Sequence, residues 1–217
     1  LTNLVAEGKD VLFVGTKRQA RACIEHNVRE IGMHWVTERW LGGTLTNFRT
    51  IRERLKRLEE LERLDESGEI NSYSKKMEST LRREQQKIKR NLDGIRHMTR
   101  LPGAMVVVDV KHEANAVKEA RKLGITTVSL IDTDSDPDQI DIAIPGNDDA
   151  MKAIEVVIKS LAAAIMEGKS QQRLDTAGSA KIAGNQDVPT RRSSRAMFRA
   201  DENDVPASEP ASGEGTL

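Results

Sequence analysis

Three stretches of this 217-residue chain carry side chains that could do chemistry. GTKR, residues 15–18, lies between an apolar run and a helical pattern. Free N–H groups at a helix N-terminus, with Lys17 and Arg18 beside them, would hold a phosphate well. A nucleotide loop needs a glycine-rich turn ending GK[ST], and a dinucleotide site needs GxGxxG; neither is present. A phosphate contact, with nucleic acid as donor, therefore stands beside an ordinary helix start. RWLGGTLTN, residues 39–47, has the paired glycines of a phosphate loop but lacks the other residues such a loop needs. DTDSDPD, residues 132–138, opens like a calcium loop. Pro137 stands where that loop needs its sixth-position Gly, and Ala143 where it needs a bidentate Glu. These carboxylates follow a strand, where doubly wound proteins place ligands, so magnesium is one reading and turn formation the other. His26, His34, His97 and His112 are scattered, with no pair at metal-binding helical spacing. No nucleophile elbow is present either. The expectation is no catalytic set, no cofactor and no assigned metal.

The elements that must position these residues follow from apolar periodicity. DVLFVG (10–15) and AMVVVDV (104–110) read as strands buried on both faces. HWVT (34–37), TTVSLID (126–132) and IDIAIPG (140–146) supply further strands. A helix over 19–31, capped by Thr16 or a neighbour, places Ala22, Cys23, His26, Val28 and Ile31 broadly on one side, and Gly32 ends it. A second runs over 113–123, with His112 as a capping or surface residue, and closes at Gly124. A last helix, from 148 or 149 to about 167, has Met151, Ile154, Val157, Ile158, Leu161 and Ile165 as its apolar face. Asp148 and Asp149 would sit at its N-terminus, where the helix dipole favours negative charge. Strand–helix alternation predicts an α/β fold, an open doubly wound parallel sheet.

Residues 47–98 break that alternation. Ile51, Leu55, Leu58, Leu61 and Leu64 recur at threes and fours, and a second arm has Met77, Leu81, Ile88, Leu92 and Ile95, amid Arg, Lys, Glu and Gln. Each set is a narrow seam on a charged helix. DESGEINSYS (65–74) supplies a turn. The prediction is an inserted antiparallel coiled-coil helical hairpin, 47–98, within a discontinuous α/β domain of 1–46 and 99–168. Gly42 and Gly43 permit backbone angles closed to other residues. Thr44 or Thr46 can cap the first arm. Residues 169–217, without apolar period, read as a disordered tail containing the cluster RRSSR.

The net charge is zero, yet residues 1–101 carry 21 Lys/Arg against 15 Asp/Glu, and residues 102–168 carry 6 against 12. A basic first half suggests a face turned to a polyanion. Mixed surface charge without a partner is the plainer reading. One cysteine, Cys23, excludes a disulfide framework within the chain and fits a reducing compartment. No apolar run approaches the roughly 18 residues of a membrane span.

VGTKRQA, RWLGGTLTN, LPGAMVVVDVKHEANAVKEARKLGI, DTDSDP and IPGNDDA occur in that order. Together they resemble the family of the bacterial small-subunit ribosomal protein numbered two, over residues 1–168. The resemblance implies a flavodoxin-like fold with a protruding coiled-coil hairpin and no enzymatic activity. It implies binding of small-subunit ribosomal RNA near the junction of head and body, on cytoplasmic ribosomes. Neighbouring small-subunit proteins, including the large mRNA-binding first protein, are the implied partners. The chain begins at Leu1, and the family's N-terminal segment is expected to precede it. Within the matching motifs and the first arm, Lys17, Arg18, Arg39, Arg49, Arg52, Arg54, Lys56 and Arg57 are the candidate RNA contacts. Trp40, Gly42, Gly43, Thr44, Thr46 and Asn47 form the candidate junction, with Trp40 either packing or stacking on RNA. The alternatives are a phosphate- or nucleotide-binding α/β enzyme and a coiled-coil protein adaptor.

Overall fold

The apolar runs become strands Val11–Val14 (β1), His34–Val36 (β2), Ala104–Val108 (β3), Thr126–Ile131 (β4) and Ile142–Pro145 (β5). The computed structural model describes residues 1–183, with side chains to residue 174. Its five strands form one sheet in the order β2–β1–β3–β4–β5, every neighbouring pair parallel. This is the doubly wound flavodoxin-like order, which reverses direction between β1 and β3. Every residue of β1 and β3 is buried, as continuous apolar runs require when both sheet faces are covered.

Alternate residues go to opposite layers. Val11, Phe13, Val106 and Val108 pack in one core with helices Thr2–Ala6 (α1), Arg18–Glu30 (α2) and Met151–Ala183 (α6). Leu12, Val14, Met105 and Val107 share the other core with Phe48–Glu66 (α3), Lys75–Leu92 (α4) and Ala114–Lys122 (α5). In that second core Leu55, Leu58 and Leu61 of α3 join Leu81, Ile88 and Leu92 of α4, and the buried stripe is continuous with the sheet face. The roots of α3 and α4 thus take the place of the crossover helix between β2 and β3. Ile70, in the turn between them, is buried too.

Several expected faces are rotated. On α2 the buried residues are Ala20, Ile24 and Val28, while Ala22 and His26 are exposed. Ala20 and Ile24 face the glycine that follows β1, where an added Cβ at Gly15 would meet both, along with Val108 of β3. Met77 and Met151, placed on apolar faces by spacing, are exposed. Thr16 does not cap α2, whose N-cap is Lys17 and makes no side-chain capping bond. Helix α6 continues past Gly168 to Ala183 instead of stopping near 167. The reason lies in what meets it. Lys169 Nζ donates to the carbonyls of Ile31 and Gly32 at the end of α2. An added Cβ at Gly168 would lie 2.5 Å from the Thr2 carbonyl of α1. The tail expected over 169–217 is thereby corrected over 169–183, which is helix; its part over 184–217, RRSSR included, lies outside the described residues. No helix of the described residues is long and apolar enough to cross a membrane.

One glycine controls how α4 returns to the sheet. A Cβ on Gly94 would lie 2.2 Å from the Trp35 carbonyl oxygen and 2.7 Å from two atoms of its ring. Backbone cannot yield as a side chain tip can. Gly94→Ala should therefore lose roughly 1–3 kcal/mol, the usual range for overpacking. Gly42→Ala, where nothing lies within 4 Å of the added carbon, should shift stability by less than about 0.5 kcal/mol. Urea unfolding of both variants checks this.

Candidate nucleic-acid interface

The strand order reverses between β1 and β3, the usual ligand position in such sheets, and there the segment after β1 meets the segment after β3 and the one leading into α6. Here the chain fills it from within. Lys17 Nζ lies 2.8 Å from Asp148, 2.6 Å from Asp149 and 3.1 Å from Asp109. Burial opposes its charge, but its hydrogen bonds to these carboxylates outweigh that and hold the ammonium above its ordinary range. Asp148 is only 3% exposed. Burial pushes its carboxyl up, against the pull of Lys17. Asp109 adopts a left-handed φ of 69° and accepts the His112 amide at 3.0 Å. The expected phosphate contact at Lys17 is thus corrected: three carboxylates surround the ammonium, and a fourth anion would meet net negative charge. Asp148 and Asp149 do lie just ahead of α6, which begins at Met151, and Asn147 accepts the amides of Asp149 and Ala150, both at 2.8 Å.

The same substitution of carboxylate for phosphate recurs next door. The Thr16 amide and hydroxyl both donate to the buried Glu113, at 2.8 and 2.5 Å. In DTDSDPD, Asp132 accepts the Thr133 amide at 2.7 Å and Asp136 the Asp138 amide at 3.0 Å, as turn formation requires. Among the described residues no three His, Cys, Asp or Glu side chains gather as a metal site.

The loop at residues 40–46 builds an anion nest, in which Gly43 but not Gly42 donates, and its occupant is Glu119 of α5. Trp40 Nε1 and the Gly43 amide donate to Oε1 at 3.1 and 2.7 Å. The Leu45 amide, the Thr46 amide and the Thr46 hydroxyl donate to Oε2 at 3.0, 3.1 and 3.1 Å. Gly43 has φ +90°, the left-handed geometry that turns its amide toward its neighbours'. Burial disfavours the charge on Glu119, but the loop amides and the indole outweigh it and lower its pKa. Trp40 therefore packs and donates within the domain. Neither threonine caps α3: Thr44 Oγ1 donates to the Leu41 carbonyl, Thr46 to Glu119, and the N-cap is Asn47. Sequence reading missed Glu119, because the loop's need for an anion does not say where in the chain that anion comes from.

The remaining candidates are Arg18 at the start of α2, Arg39 ahead of the loop, and the cations of α3. Arg18, Arg39, Arg54 and Lys56 are exposed. Among the described residues they form no ion pair. Arg49 is 92% exposed and touches Glu53 at 3.4 Å, a surface pair of little energetic weight. Arg52 donates to the Met98 carbonyl at 3.3 Å. Arg57 meets Glu60 at 3.1 Å and Glu84 at 3.8 Å. These two hold α3 to its surroundings. Arg54 and Lys87 line a cleft of about 500 Å³ between α3, α4 and the loop, together with Asn47 and Asn91.

The family model described as ribosomal protein S2 matches residues 1–168. A protein of Rhodopirellula baltica named small ribosomal subunit protein uS2 is 56% identical over 183 residues, 84% of this chain and 70% of that protein.

Proposed function

The chain belongs to the ribosomal protein S2 family and is a structural constituent of the small ribosomal subunit; we propose that it holds folded ribosomal RNA through the basic root of α3. In this reading α3 and α4 are the antiparallel coiled-coil hairpin inserted into an α/β domain of 1–46 and 99–168. Their shared apolar stripe supports it. So do the pairs Arg57–Glu84 and Asp65–Arg82, whose numbers run in opposite directions along the two helices. The observation that carries the RNA contact is the set Arg18, Arg39, Arg54 and Lys56: exposed cations without carboxylate partners among the described residues. Arg49 joins them, because a weak exposed pair yields readily to a phosphate. Arg52 and Arg57 keep the root in shape, and Lys17 is withdrawn from the contact set. Dispersed cations suit a folded RNA, which is recognised chiefly by shape, phosphates and 2′-hydroxyls. The protein works on cytoplasmic ribosomes beside other small-subunit proteins, among them the large mRNA-binding first protein, and its role is structural, not enzymatic.

Sedimentation with small subunits at two salt concentrations tests this. The chain should travel with the particle at low salt and be released as salt rises, with a log–log slope of roughly 0.7–0.9 per phosphate contacted. A chain that stays at the top of the gradient at low salt, or whose association survives RNase unchanged, would show that RNA is not what it holds.

A further inference from the structure

Glu119 stands where the body of the protein meets the segment that carries the basic root. Its helix, α5, buries Ala116, Val117 and Ala120 in the core against the sheet. The loop that Glu119 grips runs directly into α3, which begins at Phe48. Five donors converge on its two oxygens, three of them from Trp40–Leu45 and two from their neighbour Thr46. Among the described residues no Lys or Arg pairs with it, so loop dipoles alone hold its charge. On the returning helix the comparable tie is Arg90 to Glu38 at 2.7 Å, and Arg90 is 70% exposed. Such exposed pairs hold geometry weakly.

We propose that Glu119 is a positioning residue: its carboxylate fixes the loop 40–46, and through it the pose of α3 and α4 against the body, in the orientation that docks on the small subunit. The proposal rests on the RNA-binding reading of the α3 root. A helix pair free to swing would present the docking pose for only part of the time, and apparent affinity falls by that fraction. Glu119 touches no RNA in this account. Its effect runs through geometry, so an external anion able to occupy the same nest should substitute for it.

The experiment uses the full chain with Cys23→Ala and spin labels at Ser67→Cys and Lys122→Cys, both exposed positions. Wild-type Glu119 should give a narrow distance distribution between labels. Glu119→Ala should broaden it and lower incorporation into small subunits about tenfold, as expected if the docking pose falls to a tenth of the population. Adding inorganic sulfate to the isolated Glu119→Ala chain should narrow the distribution again, and should leave the wild type unchanged. A residue that served stability alone would respond in its unfolding midpoint and not in this anion rescue. If Glu119→Ala fails to fold, Glu119→Gln reads the same distances, with one acceptor oxygen in place of two. An unaltered distribution, or broadening that sulfate does not reverse, overturns the proposal. If the wild type itself does not bind the subunit, the RNA reading falls, while the label distances still judge Glu119.

Discussion

Replacing Lys17 with Met should destabilise the fold by roughly 3 kcal/mol at neutral pH, the low end of the range for breaking a buried ion pair. The ammonium is 20% exposed, Asp109 11% and Asp148 4%, so two of its three pairs are shielded from water. Met keeps the volume and removes the charge, leaving two carboxylates facing one another without a counter-ion. The loss should depend on pH in a stated direction. Asp148 already has a raised pKa, and without Lys17 it rises further. A group whose folded pKa is raised contributes stability below its unfolded value, and that contribution is lost as pH rises through the folded one. The gap between variant and wild type should therefore be widest at neutral pH and narrow toward the ordinary value of 3.8. Asp149→Asn is the control: at 68% exposed, that side chain should matter little. Urea unfolding at several pH values measures all three chains. A variant as stable as wild type at pH 7 would mean that the cluster is not a structural lock.

The sheet was legible because its signal is local. AMVVV and VLFV have apolar residues at every position, and only burial on both faces accommodates that. Gly32 and Gly124 marked helix ends correctly, each with a left-handed φ. Helical faces were less legible. The charged spacing of α2 permits two apolar sides, and the choice of Ala20, Ile24 and Val28 is made by packing near Gly15. The run of α6 beyond Gly168 was illegible for a similar reason. Its support comes from α1 and from the end of α2, more than 100 residues away in sequence.

The candidate site was half legible. GTKR, GGTLT and DTDSDPD are stretches where backbone donors or carboxylates take partners within the chain, not the phosphate or metal that their composition suggests. What sequence could not supply is the identity of those partners. Glu113 and Glu119, six residues apart on one short helix, reach Thr16 and the loop 40–46 across separations of 97 and 73 to 79 residues. Periodicity carries no information about such pairs. A phosphate-binding loop and a loop built to bind an internal carboxylate obey the same chemistry, since both aim N–H dipoles at an anion. The distinction lies in tertiary contact alone. It explains why a chain with the look of a nucleotide-binding fold spends those features on holding itself together, while Arg49, Arg54 and Lys56 of α3 stay exposed outside those sites.

Those exposed cations set the second large effect. Arg49, Arg54 and Lys56 changed together to Glu should leave the domain folded and sharply reduce association with the small subunit. All three are exposed, so their reversal removes no core contact. Arg49 and Lys56, seven residues apart, lie on one face of α3, and Arg54 faces the cleft with Lys87. Each phosphate contact removed should lower the salt slope by about 1, so the triple variant should lose about 3. Reversal adds repulsion to that loss, and at low salt the decrease should reach at least about a hundredfold. Arg52→Glu combined with Arg57→Glu should behave differently. Those guanidiniums hold Met98, Glu60 and Glu84, so this pair should lower the unfolding midpoint as well as binding. Sedimentation at graded salt, with circular dichroism of each variant, separates the two patterns. Full incorporation of the folded triple variant would move the RNA contact away from α3.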